Sequence, residues 1–415
     1  MTNSKFICKL LKLKGLKVGS FSFKGRGKEL HLFVKPFKNG CRCPECNRRA
    51  KIKRIMPSAR IWRDVCVCGL TVFLIYCPKE IVCPTHGRVQ EQIPWADAFA
   101  RISYRLEYLI LVYSQLMTQK AAAELLHLPS STFSDILHRT IERVRDGHRI
   151  RGLKAIGIDE VSYQKGHKYI TVVYDLERAC VLWVGKGKAR DTIDTFFKKK
   201  LSDYQRKQIR WACCDMSQTF IGAIKTHCPN AILVLDRFHI VKALNSAVDE
   251  VRKQQWRKAT GDERKAIKGL RWILYKHPSK RSKEDKRILK ELRRGNRRIQ
   301  RACILKDEFE HFWTYKSSWG ALRFFKRWST TALKSRLDPL RKFVRTMRKH
   351  TDDITSFAES DGLTNATAEG LNRIIGIIKN RASGYATVQA LADLIYLTIG
   401  DIDIPAQIPA RHRAL

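Results

Sequence analysis

Acidic residues are scarce in this 415-residue chain: 39 Asp and Glu stand against 81 Lys and Arg, a formal net charge of +42. So large an imbalance implies a polyanionic partner. Long apolar runs are also missing, which excludes a membrane-spanning helix of ordinary length. The stretch from Met1 to Lys17 has scattered lysines and no continuous apolar core, so no secretory leader is expected. The basic stretches have internal apolar patterns and no lipidation signal, which ranks an acidic membrane below nucleic acid as the partner. No coiled-coil pattern declares an oligomer interface. A cytosolic setting is expected.

The charge is uneven. Residues 1–150 hold +16 and residues 252–350 hold +23, whereas 151–251 and 351–415 together hold only +3. A near-neutral unit is therefore split in sequence, with one basic unit before it and another interrupting it. The division read from this pattern is 1–97, 98–150, 151–251, 252–350 and 351–415.

Eight of the 13 cysteines fall within the first 83 residues. In a reducing compartment such clustering favours metal over disulfides. Cys43-Pro44-Glu45-Cys46 and Cys83-Pro84-Thr85-His86 form two matching knuckles, each with two soft ligands three positions apart. Together Cys43, Cys46, Cys83 and His86 suit one tetrahedral structural Zn²⁺. Cys41, Cys66, Cys68 and Cys77 are read as non-ligands, since none forms a second pair at that spacing. Strands are expected over 61–67 and 70–76 with Gly69 in the turn, giving a zinc ribbon that depends on its metal.

Residues 98–150 read as a helix-turn-helix unit. Ile102, Leu106, Leu109, Ile110 and Tyr113 share a helical face, Ala121, Ala122 and Ala123 permit close packing, and His127-Leu128-Pro129 breaks the chain. The helix that follows, capped by Ser130 or Ser131, turns Phe133, Ile136, Leu137, Ile141 and Val144 inward. It offers Ser131, Thr132, Ser134, Asp135, His138 and Arg139 to a DNA major groove.

Beyond Leu153 the pattern changes to apolar runs ending in carboxylates. Ala155–Ile158 leads to Asp159 in Gly157-Ile158-Asp159-Glu160, and Ile209–Cys214 leads to Asp215. Hairpin strands over 169–174 and 180–184, and a strand over 232–235 ending at Asp236, complete the order β-β-β-α-β-α-β-α of a ribonuclease H-like fold. In that order the first and fourth strands are neighbours, which sets Asp159 beside Asp215. Glu369, in Ala368-Glu369-Gly370-Leu371-Asn372, falls near the start of a helix capped by Thr364 or Asn365. Asp352, Asp353, Glu359 and Asp361 are read as a solvated connection. Three gathered carboxylates can hold two Mg²⁺ (or Mn²⁺), and such a pair can cut and rejoin a phosphodiester backbone. Asp236-Arg237-Phe238-His239 either positions substrate phosphate, braces the metal site or caps a helix.

Residues 252–350 alternate basic residues with aromatics and hold few glycines or prolines. An all-α insertion is expected, most of its aromatics forming plain core. Arg293, Arg294, Arg297, Arg298 and Arg301 are placed on one helix flank as phosphate contacts.

These motifs resemble the bacterial insertion-sequence transposases of the ISL-three family, from Cys43 to about Ile399. The resemblance rests on the knuckle leading into Cys83-Pro84-Thr85-His86-Gly87, on Ile158-Asp159-Glu160 and Asp215-Met216-Ser217, and on Asp236-Arg237-Phe238-His239 and Asn365–Asn372. It implies a DDE triad of Asp159, Asp215 and Glu369 in a ribonuclease H-like domain with a helical insertion. Asp236 and His239 match the D-x-x-H signature of related transposases. The expected fold class is multidomain α/β: zinc ribbon, helix-turn-helix, then a ribonuclease H-like catalytic domain interrupted by helices. The expected activity is metal-dependent cleavage and strand transfer on double-stranded DNA, at terminal inverted repeats, by a homodimer or larger synaptic assembly. Two other readings remain at this stage: a DNA-binding regulator with an inactive catalytic domain, and a structure-specific nuclease without strand transfer.

Overall fold

The computed structural model describes residues 3–402 apart from 14, 37–40, 98, 147–149, 165, 361–365, 383 and 386, and omits the side chains of 293 and 294. The chain forms two compact units: Met1–Arg149 with Ile378–Leu415, and Ile150–Ile377.

The first unit opens with helix α1 (Asn3–Leu10) and strands β1 (Leu16–Lys24), β2 (Glu29–Pro36), β3 (Lys51–Ile55), β4 (Arg60–Arg63), β5 (Thr71–Tyr76), β6 (Lys79–Cys83) and β7 (Gly87–Gln90). They make two sheets, β1-β2-β5-β4 and β3-β6-β7. The expected hairpin around Gly69 exists as β4 and β5, paired antiparallel. It does not frame the cysteine knuckles, however. β5 also pairs in parallel with β2, and Leu30, Leu32, Val34, Trp62 and Leu74 bury together against Trp95. The all-exposed β3 cannot offer such a face, so the knuckles sit on a separate small sheet. The β1–β2 hairpin is not among the sequence expectations; Leu30, Leu32 and Val34, two positions apart and all buried on β2, were the signal for it.

Three helices follow: α2 (Tyr104–Leu116), α3 (Gln119–Leu125) and α4 (Ser130–Asp146). Ser103 and Thr118 cap the first two, and His127 takes a positive φ of 52° in the turn before α4. Ala122 and Ala123 are fully buried, which lets α3 approach its neighbours. α4 buries Phe133, Ile136, Leu137, Thr140 and Ile141. The apolar helix Val388–Ile399 also belongs to this unit and packs on α4 and α2, with the Arg145 guanidinium over the Tyr396 ring.

The second unit is built on β8 (Ala155–Gln164), β9 (Lys168–Asp175), β10 (Cys180–Lys186), β11 (Trp211–Cys214) and β12 (Ile232–Leu235), in the order β10-β9-β8-β11-β12. The first three strands are antiparallel, while β8–β11 and β11–β12 are parallel. Consecutive buried residues along β8, β9, β11 and β12 show that the sheet is covered on both faces. The helices that share its core are α5 (Arg190–Lys200), α7 (Gln218–His227) and α8 (Arg237–Lys258), while the short α6 (Asp203–Gln208) has no buried residue.

From α8 the chain continues through α9 (Gly261–Tyr275), α10 (Lys283–Gly295), α11 (Arg297–Phe309), α12 (Ser318–Lys334), α13 (Asp338–Arg348), α14 (Thr351–Thr355) and α15 (Ala366–Arg381), then α16, the helix Val388–Ile399. The boundary between the units falls within α15. One apolar core runs from the sheet into α8–α14 and includes Phe309, Phe312, Phe325 and Trp328. Most insertion aromatics are thus core, but Trp272 and Trp319 are exposed. The arginine cluster does not lie on one helix as expected. The helix stops after Gly295, and Asn296 starts a new one by accepting from Ile299 N. No described helix is long and apolar enough to cross a membrane.

Candidate active site

Asp159 and Asp215 directly follow the paired residues Ile158 and Cys214 of neighbouring parallel strands. β8 continues past Asp159 to Gln164, because β9 pairs with it through this polar stretch. Asp159 Oδ1 accepts from Glu160 N at 2.8 Å, and its Oδ2 accepts from Asn372 Nδ2 at 2.7 Å. Asn372 Oδ1 in turn accepts from the buried Tyr174 hydroxyl at 2.5 Å. Burial pushes the Asp159 carboxyl above its usual range and the negative charge of Asp215 adds to this; the Glu160 amide, His239 and Asn372 oppose it. Glu160 is raised likewise by burial, then by Asp215 and Asp159, against Lys188 at 3.6 Å. Asp215 Oδ1 accepts from Ser217 N at 2.9 Å, at the start of α7.

Asp236 is buried at the end of β12, where its amide donates to Cys214 O. Its Oδ1 accepts from Phe238 N at 3.0 Å and so caps α8, and its Oδ2 lies 3.7 Å from His239 Nε2. The motif is therefore a helix cap whose histidine also reaches the Asp159 carboxylate electrostatically. Glu369 is exposed in the first turn of α15, three residues before Asn372. The capping candidates Thr364 and Asn365, and Asp361, lie outside the described residues. As a set, the Asp159, Asp215 and Glu369 oxygens are not within 4.8 Å of one another. Glu160, Lys188, Tyr174 and Asn372 had no role assigned from sequence. Asn372 could have been noticed there, since a residue three positions after Glu369 shares its helix flank.

Among the described residues, the one group of three or more potential ligands gathered within 4.8 Å is Cys43, Cys46, Cys83 and His86. Cys43 and Cys46 lie in the turn before β3; Cys83 ends β6, and His86 precedes β7. Cys43 Sγ is 3.6 Å from His86 Nδ1, Cys46 Sγ is 3.6 Å from Cys83 Sγ, and Cys83 Sγ is 3.7 Å from His86 Nδ1. A tetrahedron with metal–sulfur bonds of about 2.3 Å has edges of roughly 3.8 Å, so the donor set fits zinc. Desolvation raises the Cys83 thiol, yet donors from His86 and Thr85 prevail and hold it at about 6. Cys41, Cys66, Cys68 and Cys77 stay outside the cluster.

On α4, Ser131, Thr132 and Arg139 are exposed, and Ser134 and His138 half-buried. Ser134 Oγ donates to Gln119, His138 Nδ1 lies 3.2 Å from the buried Asp393, and Arg139 lies 3.6 Å from Glu107. Arg297, Arg298 and Arg301 are exposed at the start of α11, where Arg298 and Arg301 donate to the carbonyls of Arg336 and Ser335. The side chains of Arg293 and Arg294 lie outside the described ones.

A family model described as a transposase, of the DDE type named for ISL3, matches residues 156–395. The chain belongs to this transposase family. It is also similar to the transposase for insertion sequence element IS1557 of Mycobacterium tuberculosis, 27% identical over 398 residues that cover 89% of this chain and 88% of that one. The transposase for insertion sequence element IS1001 of Bordetella parapertussis is 27% identical over 368 residues, covering 86% and 89%. In this transposase the family match begins on β8 and ends on α16, so it takes in Asp159, Asp215, Asp236 and Glu369. The cysteine–histidine cluster lies before it.

Proposed function

We propose that this transposase binds the terminal inverted repeats of an insertion sequence, then cleaves and transfers DNA strands with Asp159, Asp215 and Glu369 as its DDE carboxylates. The observation that carries this reading is the pairing of Ile158 with Cys214, which sets the two aspartates side by side, together with the bond from α15, the helix of Glu369, to Asp159. The sheet order with three antiparallel strands and two parallel ones supports a ribonuclease H-like domain, interrupted by the basic helical segment 252–350; of the expected parts 151–251 and 351–415, the second reaches only to Ile377, where its compact unit ends.

The carboxylates are hard oxygen donors, and burial with like charges disfavours leaving Asp159 and Glu160 uncompensated, so the set fits divalent cations. Asp159, Asp215 and Glu369 would hold two Mg²⁺ (or Mn²⁺), which supply Lewis-acid polarisation of the phosphate and a more acidic attacking water or 3′-OH. The chain's own residues orient this chemistry. The Glu160 amide and Asn372 fix the Asp159 carboxylate, Ser217 N fixes Asp215, and Asp236 with His239 anchors α8 beside them. Cys43, Cys46, Cys83 and His86 hold a structural Zn²⁺ in a DNA-binding segment over 1–97. Residues 98–150 supply the helix-turn-helix, with Ser131, Thr132, Ser134, His138 and Arg139 facing DNA. Arg293, Arg294, Arg297, Arg298 and Arg301 contact phosphates. Two ends brought together require at least a homodimer, acting in the bacterial cytoplasm on the nucleoid.

A nicking assay on duplex DNA with the element's own ends tests this reading, comparing Mg²⁺, EDTA and Asp215→Ala. Mg²⁺-dependent cuts at the element boundary, lost in the variant while end binding persists, are expected. Specific binding with no cleavage under any divalent metal would replace the transposase reading with that of a DNA-binding regulator.

A further inference from the structure

We propose that Asn372 is a positioning residue: it clamps the Asp159 carboxylate to the helix of Glu369, and so sets how tightly the carboxylate site takes a divalent cation. The inference rests on the reading of Asp159 and Glu369 as metal-holding residues.

The clamp is a three-residue chain of hydrogen bonds, Tyr174 to Asn372 to Asp159. Its direction is fixed by chemistry. A tyrosine hydroxyl donates to the amide oxygen of Asn372, so the amide nitrogen must face Asp159, whose carboxylate can only accept. Its position follows from the strand pleat. Tyr174 on β9 pairs with Gly157 on β8, and Asp159 is two residues further along β8 on the same face. Gly157, opposite Tyr174, has no side chain on that face. Tyr174 is fully buried, and a buried hydroxyl needs a partner; Asn372 supplies it.

Two further facts make Asn372 more than a packing residue. The Glu160 amide binds Asp159 Oδ1 and Asn372 binds Oδ2, so each oxygen has one fixed donor and the carboxylate plane is set. Asn372 also stands three residues after Glu369, on one flank of α15. The same bond that orients one carboxylate thus delivers the backbone of another. The two ends of this bond are 213 residues apart in sequence.

The test uses full-length transposase and its variants Asn372→Ala, Asn372→Leu, Tyr174→Phe and Asp159→Asn. Mn²⁺ binding is read by electron paramagnetic resonance of the free ion, alongside thermal unfolding and the Mg²⁺ dependence of nicking. Asn372→Ala and Asn372→Leu are expected to weaken the Asp159-dependent Mn²⁺ site by about 10- to 100-fold, the usual effect of removing a residue that orients a metal ligand. Nicking should then need more Mg²⁺ and recover when it is supplied. Tyr174→Phe removes one oxygen and frees the amide to turn over, so a smaller weakening in the same direction is expected, in a protein that still folds. Unchanged Mn²⁺ affinity in folded Asn372 and Tyr174 variants, with Asp159→Asn impaired, overturns the role of Asn372 and leaves the carboxylate reading standing. Unchanged affinity in Asp159→Asn overturns both.

Discussion

At the Cys43–His86 cluster four ligand atoms are already gathered, yet the sheet beneath them is thin: β3 is exposed along its whole length. Around Asp159 the balance is reversed. The carboxylates are not gathered, but the strands that hold two of them are buried on both faces and share one large apolar core with the helices that follow. On the proposed reading, the first site would use a metal to make a fold, and the second would use a fold to hold a metal. Loss of metal should therefore act on stability in one and on chemistry alone in the other.

The sharpest test of that contrast is Cys83→Ser. Structural zinc contributes on the order of 10 kcal/mol to such modules. The variant should lose its zinc by elemental analysis and become open to proteolysis between 41 and 91, while β8–β12 stay protected from hydrogen exchange. Equal protection of both regions would break the comparison. Asp215→Ala makes the converse case: cleavage falls to background, but the melting temperature stays within a few degrees, since the side chain is half-buried and accepts from a backbone amide, that of Ser217. Next comes Phe325→Ala in the apolar core, expected to cost about 3–5 kcal/mol by denaturant unfolding, with no effect on zinc content.

A smaller effect is expected at Asp194, which accepts from Arg190 and His227 at 2.8 and 2.9 Å. Burial raises its carboxyl, but those two partners outweigh burial and hold it below the usual range. Its contribution is thus full above an unfolded aspartate's pKa of about 3.9 and fades as pH falls through the lower folded value. Asp194→Asn should flatten the acid limb of the stability curve by roughly 1 kcal/mol. Least of all, Trp272→Ala, on an exposed face, should change stability by less than about 0.5 kcal/mol.

What could be read from sequence followed the contrast between local and distant signals. The apolar runs before Asp159, Asp215 and Asp236, and both cysteine knuckles, are local patterns, and each appears in the structure. The end of β8 was misjudged because Asp159–Gln164 is polar, and only its pairing with β9 extends the strand. The break at Asn296 was lost in a run of arginines that favour helix on either side. His138 was assigned to DNA from its place on α4, with no sign of Asp393, 255 residues away. Asn372 lay in plain view beside Glu369, but its partners Tyr174 and Asp159 are about two hundred residues earlier.

That separation also has a meaning in time. A ribosome must translate the whole basic helical segment after Asp159 before Asn372 exists. A chain ended anywhere between β12 and α15 holds both strand aspartates and all five strands of their sheet, but not the brace on Asp159. The nascent protein can thus build most of the core around its sheet before the brace on the proposed carboxylate site is made.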